Sequence, residues 1–190
     1  MGLKLVMYDW NGTCLNDLPL VYGSIKAIFK HYNVPAPSLE EYRATITSNF
    51  LKFYHDHGIP KNATGDDLNL IRKAHFEKNR NGAFLNPGLI ESVMETKKLE
   101  LFTGIVSGEK AGYLETRLRE FGISQLFDRV RDGAYDKEAA FVETLDFFGI
   151  KAEDSVYIDV TYDGVSAAKN ISIITVGFIY PGAYHTEERI

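Results

Sequence analysis

Asp9, Trp10, Asn11, Gly12 and Thr13 follow an apolar run near the start of this 190-residue chain and form its most chemically suggestive segment. Leu3, Leu5, Val6, Met7 and Tyr8, broken only by Lys4, suit an interior parallel strand covered on both faces. A carboxylate where such a strand enters a glycine turn is a candidate nucleophile, because Gly12 lets the main chain bend closely around whatever Asp9 meets. Thr13 adds a hydroxyl. Farther on, Ser107 and Gly108 follow a second apolar run, Lys137 opens a helical pattern, and Asp159 ends a third run with Asp163 four residues later. Two or three carboxylates, a hydroxyl and a lysine on one rim would suit magnesium and a phosphate-bearing substrate, the cation offsetting repulsion between two anions. Phosphoryl transfer is the chemistry predicted.

These residues need a scaffold that brings strand ends together. Strand and helix patterns alternate through most of the chain: a helix over Gly88 to Lys97, a strand within Leu99 to Val106, and a helix over Glu109 to Phe121. A strand over Gln125 to Arg131, a helix over Lys137 to Phe148, and strands at Ser155 to Asp159 and Ile171 to Val176 complete the series. This predicts an α/β fold, a Rossmann-like parallel sheet with helices on both faces, whose ligands sit beyond the carboxyl ends of the strands. Between Asp17 and Asn81 helical periodicity appears three times: Val21, Ile25, Ile28, Phe29, Tyr32; then Leu39, Tyr42, Ile46, Phe50, Phe53; then Leu68, Ile71, His75. A small helical bundle inserted after the first strand is expected, with breaks at the Asn33 to Ser38 and Gly58 to Gly65 turn formers. The division is residues 1–15 and 86–190 for the α/β core and 16–85 for the helical insert.

Composition narrows the function classes. With 21 basic and 26 acidic residues the net charge is −5, so no global basic field draws in nucleic acid, and an anionic substrate must be held by local groups. No apolar run is long enough for a membrane span or a signal segment, and the single Cys14 cannot form an internal disulfide. A soluble, cytoplasmic protein is expected, acting on a small phosphorylated substrate, with oligomeric state left open. The sequon matches at Asn11 and Asn62 carry no weight without a secretory signal. His31, His55, His57, His75 and His185 share no metal-ligand spacing beyond a loose His55 and His57 pair.

The order Asp9-Trp10-Asn11-Gly12-Thr13, Ser107, Lys137 and Asp159-Val160-Thr161-Tyr162-Asp163 resembles the four motifs of the haloacid dehalogenase-like superfamily, of the phosphoglycolate phosphatase-like type with a small helical cap. The resemblance covers nearly the whole chain. It implies that Asp9 attacks phosphorus to form an aspartyl phosphate, and that magnesium is held by Asp9, the main-chain carbonyl of Asn11 and Asp159, with Asp163 supporting or ligating. It further implies that Ser107 and the Gly108 amide bind the phosphoryl group and that Lys137 compensates its charge. The cap supplies specificity, with Asn16 and Asp17 at one matching loop and Thr47, Ser48 and Asn49 at another.

Two departures from the family pattern matter. Many phosphatases of the family carry a second Asp two residues after the nucleophile, as acid and then base; here Asn11 stands in that place, and an amide does neither. Positioned proton transfer contributes roughly 10²- to 10⁴-fold, so acyl phosphates should suffer less than alkyl esters. Ile158 also replaces a glycine before Asp159, which either narrows the site or extends the strand. Neither the tyrosine of haloalkanoate dehalogenases nor the alanine and cap lysine of phosphonate hydrolases is present. A magnesium-dependent phosphatase is therefore expected, with a catalytically attenuated phospholigand-binding or regulatory protein, or another reaction at the same Asp, as alternatives.

Overall fold

The structure, a computed structural model, describes residues 2–45, 50–180 and 183–184. Every residue of β1 (Leu5–Tyr8) is buried. Its side chains alternate as a strand with two covered faces requires. Val6 and Tyr8 join Trp10, Val93, Ile105 and Leu114 in one core, while Leu5 and Met7 join Val106, Phe141, Leu145 and Tyr157 in another. Lys4 falls just outside the strand and pairs with Asp154.

After β1 come β2 (Leu15–Asn16), α1 (Leu18–His31), α2 (Leu39–Thr45), α3 (Phe50–Asp56), α4 (Gly65–Lys78) and β3 (Phe84–Leu85). The remainder alternates: α5 (Leu89–Lys98), β4 (Phe102–Val106), α6 (Tyr113–Glu120), β5 (Arg129–Arg131), α7 (Lys137–Phe148), β6 (Ser155–Asp159), α8 (Tyr162–Asn170) and β7 (Ile174–Gly177). Five strands form a parallel sheet in the order β5-β4-β1-β6-β7. The chain winds from β1 outward through β4 and β5, then returns to the other side of β1 for β6 and β7. That reversal opens a crevice at the carboxyl end of β1, where open α/β sheets take their ligands. Tyr8 is in register with Ile105 and Ile158, so Asp9 and Asp159, each one residue on, stand level on adjacent strands.

The segment between β2 and β3 has a core of its own. Leu18, Val21, Ile25, Ile28 and Phe29 line one face of α1 and pack with Tyr42, Phe53, Tyr54 and Leu68. Pro19 suits the first turn of α1, where its missing N–H costs nothing, and Thr64 and Asp67 form a capping box that starts α4. Burying a side chain such as Phe29 completely contributes roughly 2–3 kcal/mol. The two crossings to this segment run side by side, since β2 and β3 pair antiparallel and the Asn86 N–H donates to the Cys14 carbonyl.

Several expected boundaries shift. The Glu109 to Phe121 helix begins only at Tyr113, because Gly112 takes a left-handed conformation (φ 79°) and residues 107–112 form a loop instead. The expected strand over Gln125 to Arg131 is confined to β5, preceded by a 3₁₀ turn at Ser124–Leu126. Ile171 and Ser172 complete the exit from α8, so β7 starts at Ile174. The periodicity from Leu39 to Phe53 appears as α2 and α3; Ile46, Thr47, Ser48 and Asn49 lie outside the described residues. The β2 and β3 pair was not anticipated, two residues per strand being too short for an alternation to show.

Candidate active site

Asp9 continues β1 and donates its N–H to the Ile158 carbonyl, which fixes it at the strand end; its side chain is mostly buried. Lys137, the first residue of α7, reaches back under it. The ammonium lies 2.7 Å from Asp9 Oδ1, donates to the Val106 carbonyl at 2.9 Å, and stands 3.8 Å from Asp159 Oδ2. Asp136 caps that helix by accepting the Ala139 N–H, so the chain delivers Lys137 at a defined point.

Tyr157 completes the cluster. Two residues before Asp159 on the same face of β6, its fully buried hydroxyl is 2.5 Å from Lys137 Nζ and donates to Asp159 Oδ2 at 2.8 Å. Asp159 Oδ1 accepts from both the N–H and the hydroxyl of Thr161, at 2.8 and 2.9 Å. The carboxylate fills the space that a Cβ on Gly164 would need, so glycine at the start of α8 is required by this packing. Burial, followed by the charge of Asp9, pushes the Asp159 carboxyl up to about 7 against the pull of Lys137. The same two carboxylates, after burial, hold the Tyr157 phenol well above its usual range, so it stays protonated and donates.

The residues expected at the site are not all brought together. Asp9, Asn11, Ser107, Gly108 and Lys137 line one cavity of roughly 450 Å³ that runs from the strand ends into the helical insert. Ser107 is buried, and its hydroxyl accepts the Glu109 N–H in a local turn, not at a helix start. Asp159 is completely buried and is not among the cavity-lining residues. Asp163 is exposed on the first turn of α8, away from the cavity lining. The Thr13 hydroxyl accepts the Val160 N–H and ties the loop after β1 to the loop after β6. Asn16 pairs through β2 and is not among the lining residues, and Asn49 lies outside the described residues. Ile158 packs against the core and continues the strand pairing, so it extends the strand.

Asp17, expected in the loop after the first motif, also lines the cavity, and other residues enter that the motifs did not mark. The Asn11 amide donates to Asp17 Oδ2 at 2.8 Å and faces Glu109 Oε2 at 3.5 Å, while Tyr184 donates to Asp17 Oδ1. Burial raises Asp17 to about 6, although the bonds from Asn11 and Tyr184 hold it down. Buried Asn86 donates to the carbonyls of both Gly12 and Thr13, at 2.8 Å each, and so braces the turn. Cys14 is buried, its thiol pushed up first by burial and then by Asp9 and Asp159, which leaves it an inert packed side chain. Trp10 is likewise core, tilted against Phe121. His55 and His57 spend ring nitrogens on main-chain carbonyls of Ala63 and Phe53.

A magnesium ion fits the donor chemistry. Asp9, Asp159 and a main-chain carbonyl are hard oxygen donors, and two carboxylates share a buried cluster with the single ammonium of Lys137. Among the described residues no three His, Cys, Asp or Glu side chains form a ready cage. That suits a cation that uses one or two carboxylates and takes its remaining ligands from substrate and water.

Residues 6–178 match the haloacid dehalogenase-like hydrolases. The chain belongs to that family. It is 20% identical to the phosphoglycolate phosphatase of Pseudomonas syringae pv. tomato, over 93% of this chain and 70% of that protein. Among solved structures, a predicted phosphoglycolate phosphatase from Haemophilus somnus has a TM-score of 0.79 at 21% identity, covering 99% of this chain and 89% of that one. CbbY from Rhodobacter sphaeroides, solved in complex with phosphate, has a TM-score of 0.76 at 19% identity, covering 97% and 90%. These structural likenesses show the fold. As a member of this hydrolase family the chain is an enzyme, and its α/β core with a five-stranded parallel sheet is the family architecture.

Proposed function

We propose that this hydrolase is a magnesium-dependent phosphatase of a small phosphorylated metabolite. The observation that carries the reading is the Asp9 carboxylate held 2.7 Å from Lys137 at the floor of a cavity that Ser107 and Gly108 also line. Lys137 holds the Asp9 carboxylate in place at the cavity. A carboxylate oxygen of Asp9 attacks phosphorus, the bond from phosphorus to the leaving oxygen breaks, and an aspartyl phosphate forms; water then attacks that phosphorus and restores Asp9. The Ser107 hydroxyl and the Gly108 N–H donate to the phosphoryl oxygens, and Lys137 balances their charge. A magnesium ion held by Asp9, Asp159 and the Asn11 carbonyl, with Asp163 supporting its water shell, would supply charge neutralisation at the phosphoryl group.

Residues 16–85 act as a cap in this reading, with the β2 and β3 pair as the connection to the core, and they admit substrate and exclude water. The protein works in the cytoplasm on a small molecule, without nucleic acid or membrane. A second reading, a phospholigand-binding protein with attenuated turnover, is supported by one observation: the amide of Asn11 is spent on Asp17 and offers no acid.

Phosphate release from acetyl phosphate, an aryl phosphate and sugar phosphates, with magnesium or EDTA, tests the proposal in wild type and Asp9→Asn. Magnesium-dependent release lost in the variant is expected. No release from any compound, with phosphate analogues still bound, would favour the binding-protein reading.

A further inference from the structure

The cavity has polar residues beside the strand ends and, at Asn69 and Arg72 of α4, within the insert, with an apolar wall as well. Beyond Asp9 and Lys137 its wall becomes Val21, Ile25 and Ile28, three residues at helical spacing on one face of α1, faced by Tyr54 and Phe50 of α3. At roughly 450 Å³ the space falls within the range of cavities that enclose drug-sized ligands. A two-carbon phosphate would leave the apolar wall of this chamber in contact with water. Aromatic walls at Tyr54 and Phe50 favour a flat ring, which packs by offset or edge contacts.

The chemistry beside the strand ends bears on the same question. The leaving oxygen needs a proton unless it is a weak base. Asn11 has no proton to give, and the neighbouring carboxyls are arranged as acceptors: Asp17 takes hydrogen bonds from Asn11 and Tyr184 on its two oxygens. Glu109 takes the Lys110 N–H on Oε1 and faces the Asn11 amide with Oε2. In this arrangement, with Asp17 and Glu109 both accepting and Asn11 unable to donate a proton, the site favours a group that departs as a stable anion.

From these two independent features we propose that the substrate is an aryl phosphate, a phosphate monoester of a phenol-type alcohol whose ring occupies the chamber between α1 and α3. This rests on the phosphatase reading and adds the substrate class. In the first step the bond from Asp9 oxygen to phosphorus forms and the phosphorus to aryl-oxygen bond breaks, with the electron pair leaving on the phenolate, which takes its proton from water.

Four compounds separate the two features: phenyl phosphate, cyclohexyl phosphate, acetyl phosphate and phosphoglycolate, assayed with magnesium. Phenyl phosphate is expected to have the highest kcat/KM. Cyclohexyl phosphate, equal in size but a stronger base on leaving, should show a similar KM and a kcat lower by about 100-fold or more. Acetyl phosphate should turn over with a KM at least about tenfold higher, and Phe50→Ala, at the half-exposed rim, should shrink that advantage of the aryl ester. Phenylphosphonate, which cannot be hydrolysed, should bind at least about tenfold more tightly than inorganic phosphate by calorimetry. Equal kcat for the phenyl and cyclohexyl esters, or phosphoglycolate as the best substrate, would overturn the proposal and leave the phosphatase reading standing. Release from none of the four overturns the phosphatase reading; binding then decides the ligand class, and equal affinity for phenylphosphonate and phosphate sinks that as well.

Discussion

The Tyr157 hydroxyl lies 2.8 Å from Asp159 Oδ2, joining two residues on one face of β6 and linking the second carboxylate to the Asp9 and Lys137 pair. The phenol is fully buried, so Tyr157→Phe deletes a donor without opening a large cavity and leaves a buried carboxylate oxygen short of a partner. A loss of about 1–3 kcal/mol is expected, read as a lower urea midpoint with an unchanged slope. A midpoint equal to wild type would mean that water or Lys137 fully replaces the phenol.

Lys137 is the only ammonium within 4 Å of both Asp9 and Asp159 among the described residues. Lys137→Met leaves two buried carboxylates facing each other, which should cost about 3–5 kcal/mol near pH 8. Losing the ammonium raises the Asp159 carboxyl further, and a carboxyl raised on folding contributes stability that is present at low pH and lost as pH rises through its folded value. The variant should therefore be less impaired at pH 5 than at pH 8. Denaturant titrations at the two values decide it, and an equal deficit at both would remove the carboxylate repulsion argument.

Asp17 gives a second pH dependence of the same sign. Its carboxyl moves from 3.8 to about 6 on folding, so the folded state holds a proton that the unfolded chain releases between those values. Stability falls across that window as pH rises, by roughly 3 kcal/mol for this group. Asp17→Asn removes the penalty. The variant should exceed wild type by up to about that amount at pH 7 and lose the advantage as pH falls toward 4. A constant difference between the two proteins across pH 4 to 7 would show that Asp17 does not carry the effect.

The packing of Asp159 against Gly164 makes a separate test of its role. A methyl group on Gly164 must displace the carboxylate, because the Cβ would overlap it. Gly164→Ala should keep the fold at a cost of about 1–3 kcal/mol and weaken magnesium binding, measured by calorimetry on the purified protein. Undiminished magnesium affinity would argue that Asp159 is not a ligand.

What was legible in the sequence follows from physical range. Asp9, Ser107 and Asp159 stand out because each ends an apolar run, and the parallel sheet then aligns those ends. Lys137 is legible because it opens a helix beside them. Tyr157 is not, since one more aromatic residue in a buried strand looks like core until the register places its hydroxyl between two carboxylates. Glu109, Asp17 and Tyr184 meet Asn11 or one another across up to 167 positions of chain, and local pattern carries no information about such pairs. Glu109 also sits in a segment with helical composition, where the left-handed Gly112 delays the helix and leaves a loop to line the cavity. Asp163 shows the converse: its spacing from Asp159 is that of the family motif, yet its side chain stands exposed on α8.

Asn11→Asp brings these observations together. The new carboxyl would stand where the Asn11 amide now lies 2.8 Å from Asp17 Oδ2. Two carboxyls at that distance cannot both ionise readily, so the pair holds one shared proton near neutral pH. That proton is the acid that Asn11 cannot supply. Turnover of cyclohexyl phosphate should rise by roughly 10²- to 10⁴-fold, while phenyl phosphate, whose leaving group needs little help, should gain far less. Adding Asp17→Asn separates the new acid from its partner and should move the alkaline limb of the pH profile to lower pH. If both substrates respond equally, or not at all, another group already moves the proton and Asn11 serves the site through its carbonyl alone.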